Sequence, residues 1–210
     1  MPASELDLKQ LKLGPMDNFQ YVFGHRDSSE RAIVDPGFEP AKMLEAAREG
    51  GREVSHILLT HGHRDHVASL AEVRKETDAQ LVAYPSSTMG PDIDAEDGAT
   101  FEVAGVEVTS HHTPGHAPDH VVFVVDDQAL ISGDALFVGD CGRVDLPGSD
   151  IEAMWETLME TVPSLDPHLE VYPGHDYGPE PHRSLATELE ENFTLEKRGL
   201  DEFREFMGVE

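Results

Sequence analysis

The sequence predicts a layered α/β domain with a mixed sheet or two sheets. Three observations predict it. Short apolar, β-branched runs recur between Gly, Asp and Pro residues. Amphipathic stretches of helical period lie between some of these runs. The order is strands first, then alternating strands and helices, twice over. The runs fall at residues 31–34, 56–59, 81–83, 106–108, 121–125, 129–131 and 170–172. Residues 40–49 read as a helix that opens at Pro40 and stops at Gly50-Gly51. Residues 67–76 place Val67, Leu70, Ala71 and Val73 near one face. Residues 151–162 place Ile151, Met154, Trp155, Leu158 and Val162 on an apolar stripe, with Asp150 as N-cap. Further helices are expected over about 181–192 and 200–207. The 210 residues suffice for one domain spanning 1–210, with a short helical tail from about 181.

Composition narrows the function classes. The chain carries 42 acidic against 15 basic residues, net −27, with only five lysines. Nucleic acid and anionic membrane surfaces are therefore poor partners, since both demand positive charge. Acids spread over helix surfaces repel one another at low salt. At molar salt the Debye length falls to about 3 Å and the repulsion is screened. The expectation is a cytoplasmic, halophilic protein, monomeric or homodimeric. No apolar run approaches the length of a membrane-spanning helix, and MPASELDLKQLKLG lacks a signal-peptide pattern. A single cysteine, Cys141, excludes an intramolecular disulfide and a cysteine-built zinc finger.

The stretch THGHRDHV sets His61, His63, Asp65 and His66 directly after the apolar run HILLT. A loop at a strand end can aim alternate side chains into one cleft. Imidazole and carboxylate suit zinc, iron and manganese. Partners recur downstream: His116 in the Pro-Gly turn of HHTPGHAPDH, Asp134 after a strand in ISGDALF, and His175 after another in VYPGHDYG. A charge at the end of a buried strand is costly unless paired or coordinated. Two divalent ions a few ångströms apart lower the pKa of bound water from about 15.7 to about 7. A hydroxide so formed can attack a carbonyl, from which a thiolate would leave without a dedicated acid. Asp65 is placed to orient the nucleophile.

In their order and spacing THGHRDHV, TPGH, SGDALF and YPGHDYG resemble the metallo-β-lactamase superfamily, from about Asp17 to His175. The resemblance implies an αββα four-layer sandwich with a dinuclear site on one edge. It implies that His61, His63 and His116 hold one metal, that Asp65, His66 and His175 hold the second, and that Asp134 bridges them. Zinc is the expected metal, with iron and manganese as alternatives.

MDNFQYVF, AIVDPG and DCGRVDLPGSD resemble the glyoxalase II-like thioester hydrolases. That branch implies an S-2-hydroxyacyl thioester of glutathione, or of a related thiol such as γ-glutamylcysteine, as substrate. It implies that Arg143 contacts the acidic thiol carrier and that Tyr177 lies beside the pocket. Two features depart from longer members of the branch: Asp145 stands where they carry an aromatic, and only about 35 residues follow His175. The alternative is a persulfide dioxygenase, which the Cys-Gly-Arg stretch also resembles, with one iron held by His61, His116 and Asp134. A third possibility is a non-enzymatic or differently acting relative, such as a flavodiiron-type module or a nuclease; all seven ligand positions are intact, and the chain lacks the charge for nucleic acid. His120 is expected to support a ligand or to pack in the core rather than act as a ligand. Cys141 is expected to be buried, Trp155 to be core, and Arg64 to face solvent or a carboxylate.

Overall fold

The computed structural model describes residues 5–209; residues 1–4, which begin the N-terminal segment discussed above, and residue 210 lie outside them. One sheet takes six strands in sequence order: β1 (Leu6–Lys12), β2 (Phe19–His25), β3 (Glu30–Val34), β4 (Glu53–Leu58), β5 (Gln80–Ala83) and β6 (Ile93–Asp94). The second begins with β7 (Thr100–Val103), β8 (Val106–His112), β9 (Val121–Val125) and β10 (Ala129–Gly133). The chain then makes a small ribbon, β11 (Leu136–Phe137) and β12 (Asp140–Cys141). It returns with β13 (Glu170–Pro173) and β14 (Arg183–Ser184), giving the order β14-β13-β10-β9-β8-β7. Helices α1 (Pro40–Ala47), α2 (Arg64–Val67) and α3 (Leu70–Thr77) accompany the first sheet. Helices α4 (Ile151–Glu156), α5 (Val162–Ser164), α6 (Leu185–Glu191) and α7 (Leu200–Met207) accompany the second.

Alternation along the strands builds the layers, because successive strand side chains face opposite sides. Phe19, Tyr21 and Phe23 of β2 meet Val121, Phe123 and Val125 of β9 between the sheets. Their neighbours Val22, Ile33, Ile57 and Leu81 face the other way, under Met43, Leu44, Ala47 and Val73 of α1 and α3. In the second sheet Val122, Leu130 and Val171 face outward against Met154, Leu158, Val162, Leu185 and Phe203. The result is the expected αββα sandwich. Its central layer is dense; truncating a ring such as Phe123 to Ala would cost about 3–5 kcal/mol.

Local differences have local causes. Residues 67–76 are not one helix. Ser69 donates through its N–H to Pro36 O (2.9 Å) and through Oγ to Gly37 O (3.0 Å), which breaks the run between α2 and α3. After α4 the backbone widens into a π turn over Thr157–Thr161 before α5. Residues 183–184 form β14 against β13, so the helix expected from 181 starts at Leu185, with Ser184 as its N-cap. Trp155 is half-buried rather than core, and its indole N–H donates to Arg198 O (2.8 Å). The apolar runs read from the sequence omit β1, a half-buried strand with Lys at two of its seven positions.

Candidate metal centre

Four segments reach one edge of the sandwich. The β4–α2 loop carries His61 and His63, and Asp65 and His66 lie in α2 itself. The β8–β9 loop carries His116, Asp134 follows β10, and His175 follows β13. Backbone bonds stitch the two sheets together here: Phe19 N–H to Gly174 O (2.8 Å) and Val121 N–H to Thr60 O (2.8 Å). The chain must run close to achieve this. A Cβ on Gly174 would lie 2.2 Å from Asp134 Oδ1. At Gly133, whose φ of +50° is strained for a side chain, a Cβ would lie 2.7 Å from Thr60 Cβ.

All seven predicted ligands converge. Donor atoms of His61, His63 and His116 lie within 4.8 Å of one another, as do those of Asp65, His66 and His175. A third group of the same tightness, His61, His66 and Asp134, joins the two. Asp134 stands between them: Oδ2 is 3.5 Å from His116 Nε2 and 3.3 Å from His175 Nε2, while Oδ1 is 3.4 Å from His66 Nε2. Asp65 Oδ2 is 3.3 Å from both His66 Nε2 and His175 Nε2.

Hydrogen bonds fix which ring nitrogen is free. His116 Nδ1 donates to Arg143 O (2.8 Å), and His175 Nδ1 donates to Met16 O (2.9 Å). His66 Nδ1 donates to Asp35 Oδ2 (3.0 Å). Thr60 Oγ1 gives its proton to Asp35 Oδ2 (2.6 Å), so it accepts from His61 Nδ1 (3.1 Å). Each Nε2 is thereby turned inward, the arrangement by which outer partners orient metal-binding imidazoles. Two contacts set ring nitrogens against one another: His116 Nε2 to His63 Nδ1 at 2.9 Å and His66 Nε2 to His175 Nε2 at 3.3 Å. His61 Nε2 and Asp134 Oδ1 are buried without a hydrogen-bond partner. Inward-facing ring nitrogens, orphaned buried atoms and two carboxylates fit cations, and the nitrogen–oxygen donor set suits zinc, iron or manganese.

The electrostatics agree. Burial holds His61 and His63 below the usual histidine range, so both stay neutral. Burial also opposes charge on His66, but Asp134, Asp35 and Asp65 outweigh it and raise that ring. His175 is raised to about 9, because Asp134 and Asp65 outweigh its burial. Asp134 and Asp65 are held well below the carboxylate range: burial alone would raise both, and neighbouring histidines prevail. The centre thus attracts positive charge.

Three supporting residues carry no metal-binding signature in the sequence. Asp35 accepts from Thr60 N–H (2.8 Å), Thr60 Oγ1 and His66 Nδ1, linking both halves of the cluster. Asn18 Nδ2 donates to Asp65 Oδ2 (2.9 Å). Met16 offers its carbonyl to His175. Only the surrounding motifs, MDNFQYVF and AIVDPG, hint at them. His120 takes the expected supporting position: its Nε2 accepts from Asp134 N–H (3.1 Å) and its ring stacks on His61.

A cleft of about 380 Å³ opens over the cluster, walled in part by Met16, Phe137, Cys141, Arg143, Leu146 and Tyr177. Tyr177, 54 % exposed, stacks on His175 with centroids 4.7 Å apart. Arg143 reaches the cleft but grips Asp145 through two 2.5 Å bonds, so that exposed carboxylate occupies its guanidinium. Cys141 is buried, which, with the Asp140 charge, pushes its thiol up to about 12. Such a thiol is a poor nucleophile at neutral pH. Arg64 is exposed, as expected.

The metallo-β-lactamase superfamily model matches residues 13–89 and 80–197. A probable polyketide biosynthesis zinc-dependent hydrolase, BaeB, from Bacillus velezensis is 32 % identical over 86 % of this chain and 84 % of its own. A hydroxyacylglutathione hydrolase from Rhodopseudomonas palustris is 33 % identical over 87 % of this chain and 71 % of its own. The human mitochondrial persulfide dioxygenase ETHE1 is 30 % identical over 90 % of this chain and 76 % of its own. Among solved structures, ETHE1 from Myxococcus xanthus superposes with a TM-score of 0.89 at 25 % identity, over 96 % of this chain and 90 % of that one. Among the described residues no helix is long and apolar enough to cross a membrane.

Proposed function

The chain belongs to the metallo-β-lactamase superfamily, and from that premise we propose that it is a metal-dependent hydrolase of a small-thiol thioester. The observation that carries the reading is the paired cluster: two complete donor triads with Asp134 between them. His61, His63 and His116 would hold one divalent cation; Asp65, His66 and His175 the other; Asp134 would contribute to both. Cations held there would supply Lewis acidity and lower the pKa of a water toward about 7. Asp65, fixed by Asn18, would orient the attacking water. The Met16, Phe137, Leu146 and Tyr177 walls exclude bulk solvent from the acyl group. Arg143 pairs with a carboxylate of the thiol carrier, glutathione or a related thiol, after exchanging Asp145 for it. A thiolate leaving group needs no proton donor. Beyond the cluster itself, the protic side chains facing the cleft are Asp140, Cys141, Arg143 and Tyr177. The surplus of acidic residues suits a salt-rich cytosol.

The rival reading is a mononuclear iron persulfide dioxygenase using His61, His116 and Asp134. The human relative and the Myxococcus structure favour it. Metal stoichiometry separates the two. Protein purified in high KCl, without chelator or affinity nickel, is analysed for metals per chain. About two metals, with thiol release from a glutathione thioester, supports the hydrolase. About one iron, with oxygen uptake on a glutathione persulfide, replaces it with the dioxygenase.

A further inference from the structure

One wall of the cleft is the ribbon of β11 and β12, two strands of two residues each. Ribbons that short do not hold their shape alone. Yet this one places Phe137, Asp140, Cys141 and the following Gly142 and Arg143 against the cleft. Its turn is held from behind. Glu188 on α6 is fully buried, and its Oε2 accepts from Gly139 N–H (2.9 Å) at that turn. Its Oε1 accepts from Arg183 Nε (2.6 Å). Asn192, just past α6, donates through Nδ2 to Glu188 Oε2 (2.7 Å), Asp140 O (3.1 Å) and Phe137 O (3.3 Å). Its Oδ1 accepts from Thr194 N–H (2.9 Å) and Thr194 Oγ1 (2.7 Å), which fixes the amide orientation. A buried carboxylate and a buried amide thus bind the two carbonyls and the N–H of one four-residue turn.

We propose that Glu188 and Asn192 are positioning residues for substrate: from the C-terminal helix they fix the 137–140 turn, and so the cleft face that grips the thiol carrier. Neither touches the metal ligands, and the tail they belong to lines no part of the cleft itself. The inference rests on the thiol-compound reading above. It differs from a purely structural role because it assigns the effect to substrate binding rather than to metal loading or chemistry. Removing a wall that binds ground state and transition state alike raises KM and spares kcat.

The test uses Asn192→Ala, which leaves Glu188 still bonded to Arg183 and Gly139, and Glu188→Gln, which keeps the side-chain volume. S-lactoylglutathione is the probe substrate. Both variants should keep wild-type metal content. KM should rise roughly ten-fold, a loss of about 1.4 kcal/mol of uniform binding, with kcat within about two-fold. Cys141, the only cysteine and part of β12, reports the ribbon independently of any reaction. Its alkylation by iodoacetamide should accelerate in both variants at temperatures well below their melting transitions. Unchanged KM in both variants, or a loss confined to kcat or metal content, overturns the proposal. If the wild type leaves the thioester intact, the hydrolase reading fails, and alkylation alone then decides: unchanged rates overturn the clamp and faster rates sustain it.

Discussion

Asp35→Asn should uncouple the outer support of the metal centre while leaving every ligand in place. The carboxylate of Asp35 receives three donors: Thr60 N–H at 2.8 Å on Oδ1, and Thr60 Oγ1 at 2.6 Å and His66 Nδ1 at 3.0 Å on Oδ2. An amide has one acceptor oxygen. With that oxygen in the Oδ2 position, the new NH₂ faces the Thr60 N–H; flipped, it faces the His66 N–H. Either way two donors confront each other in a buried site, and the charge assistance to His66 is gone. A lost hydrogen bond to a charged group is worth about 1.5–3 kcal/mol, or one to two decades in a binding constant. Supporting substitutions at metal sites weaken binding by about 10–100-fold, the same range. The loss should fall mainly on the position held by Asp65, His66 and His175. It should be smaller at the His61, His63 and His116 position, which Asp35 reaches only through Thr60 Oγ1. Titration of metal-free protein with zinc against a competing chelator resolves the two steps. Two affinities within two-fold of wild type would refute the reasoning.

Metal loading at neutral pH should release protons, because His175 in the metal-free centre is raised to about 9. Its imidazolium competes with the cation at every pH below that value, so affinity should climb as pH rises toward 9; calorimetry in buffers of different ionisation enthalpy reads the release. Cys141, pushed up to about 12 by burial, should resist iodoacetamide at pH 8 in the folded protein and react freely in denaturant. Arg143→Ala should raise KM for an anionic thioester several-fold with kcat nearly unchanged, and Asp145→Ala should lower KM by freeing the guanidinium; opposite or absent shifts would remove the pair from substrate recognition. With a net charge of −27, the melting temperature should rise between low and multimolar KCl; an unchanged value would discard the halophilic reading.

Much of this centre was legible because its chemistry is concentrated. A strand that ends in THGHRDHV announces its candidate metal donors through residue type, and the later histidines and aspartate each follow an apolar strand or sit in a Pro-Gly turn. The layers were legible for a similar reason: β9 is an unbroken apolar run and β10 opens with one. β1 was not, since a half-buried edge strand with two lysines lacks a clean period of two. Asp35 and Asn18 were legible only as motif neighbours, because a carboxylate or amide that supports a ligand has no signature beyond its contacts. The break between α2 and α3 was hidden too, as it depends on Ser69 meeting carbonyls of the Pro36–Gly37 turn more than thirty residues earlier.

The ligands come from both halves of the chain, and His175 lies 109 residues beyond His66. No portion of the nascent chain that ends before β13 can complete the second triad. Cations bound by these residues would therefore join a nearly finished fold and act as a late clasp between the two sheets. Their binding adds RT ln(1 + [M]/Kd) to the closed state alone. Metal supply would then govern the lifetime of the assembled sandwich as well as its activity, and a chelator should open the molecule first along the edge where the two sheets are stitched.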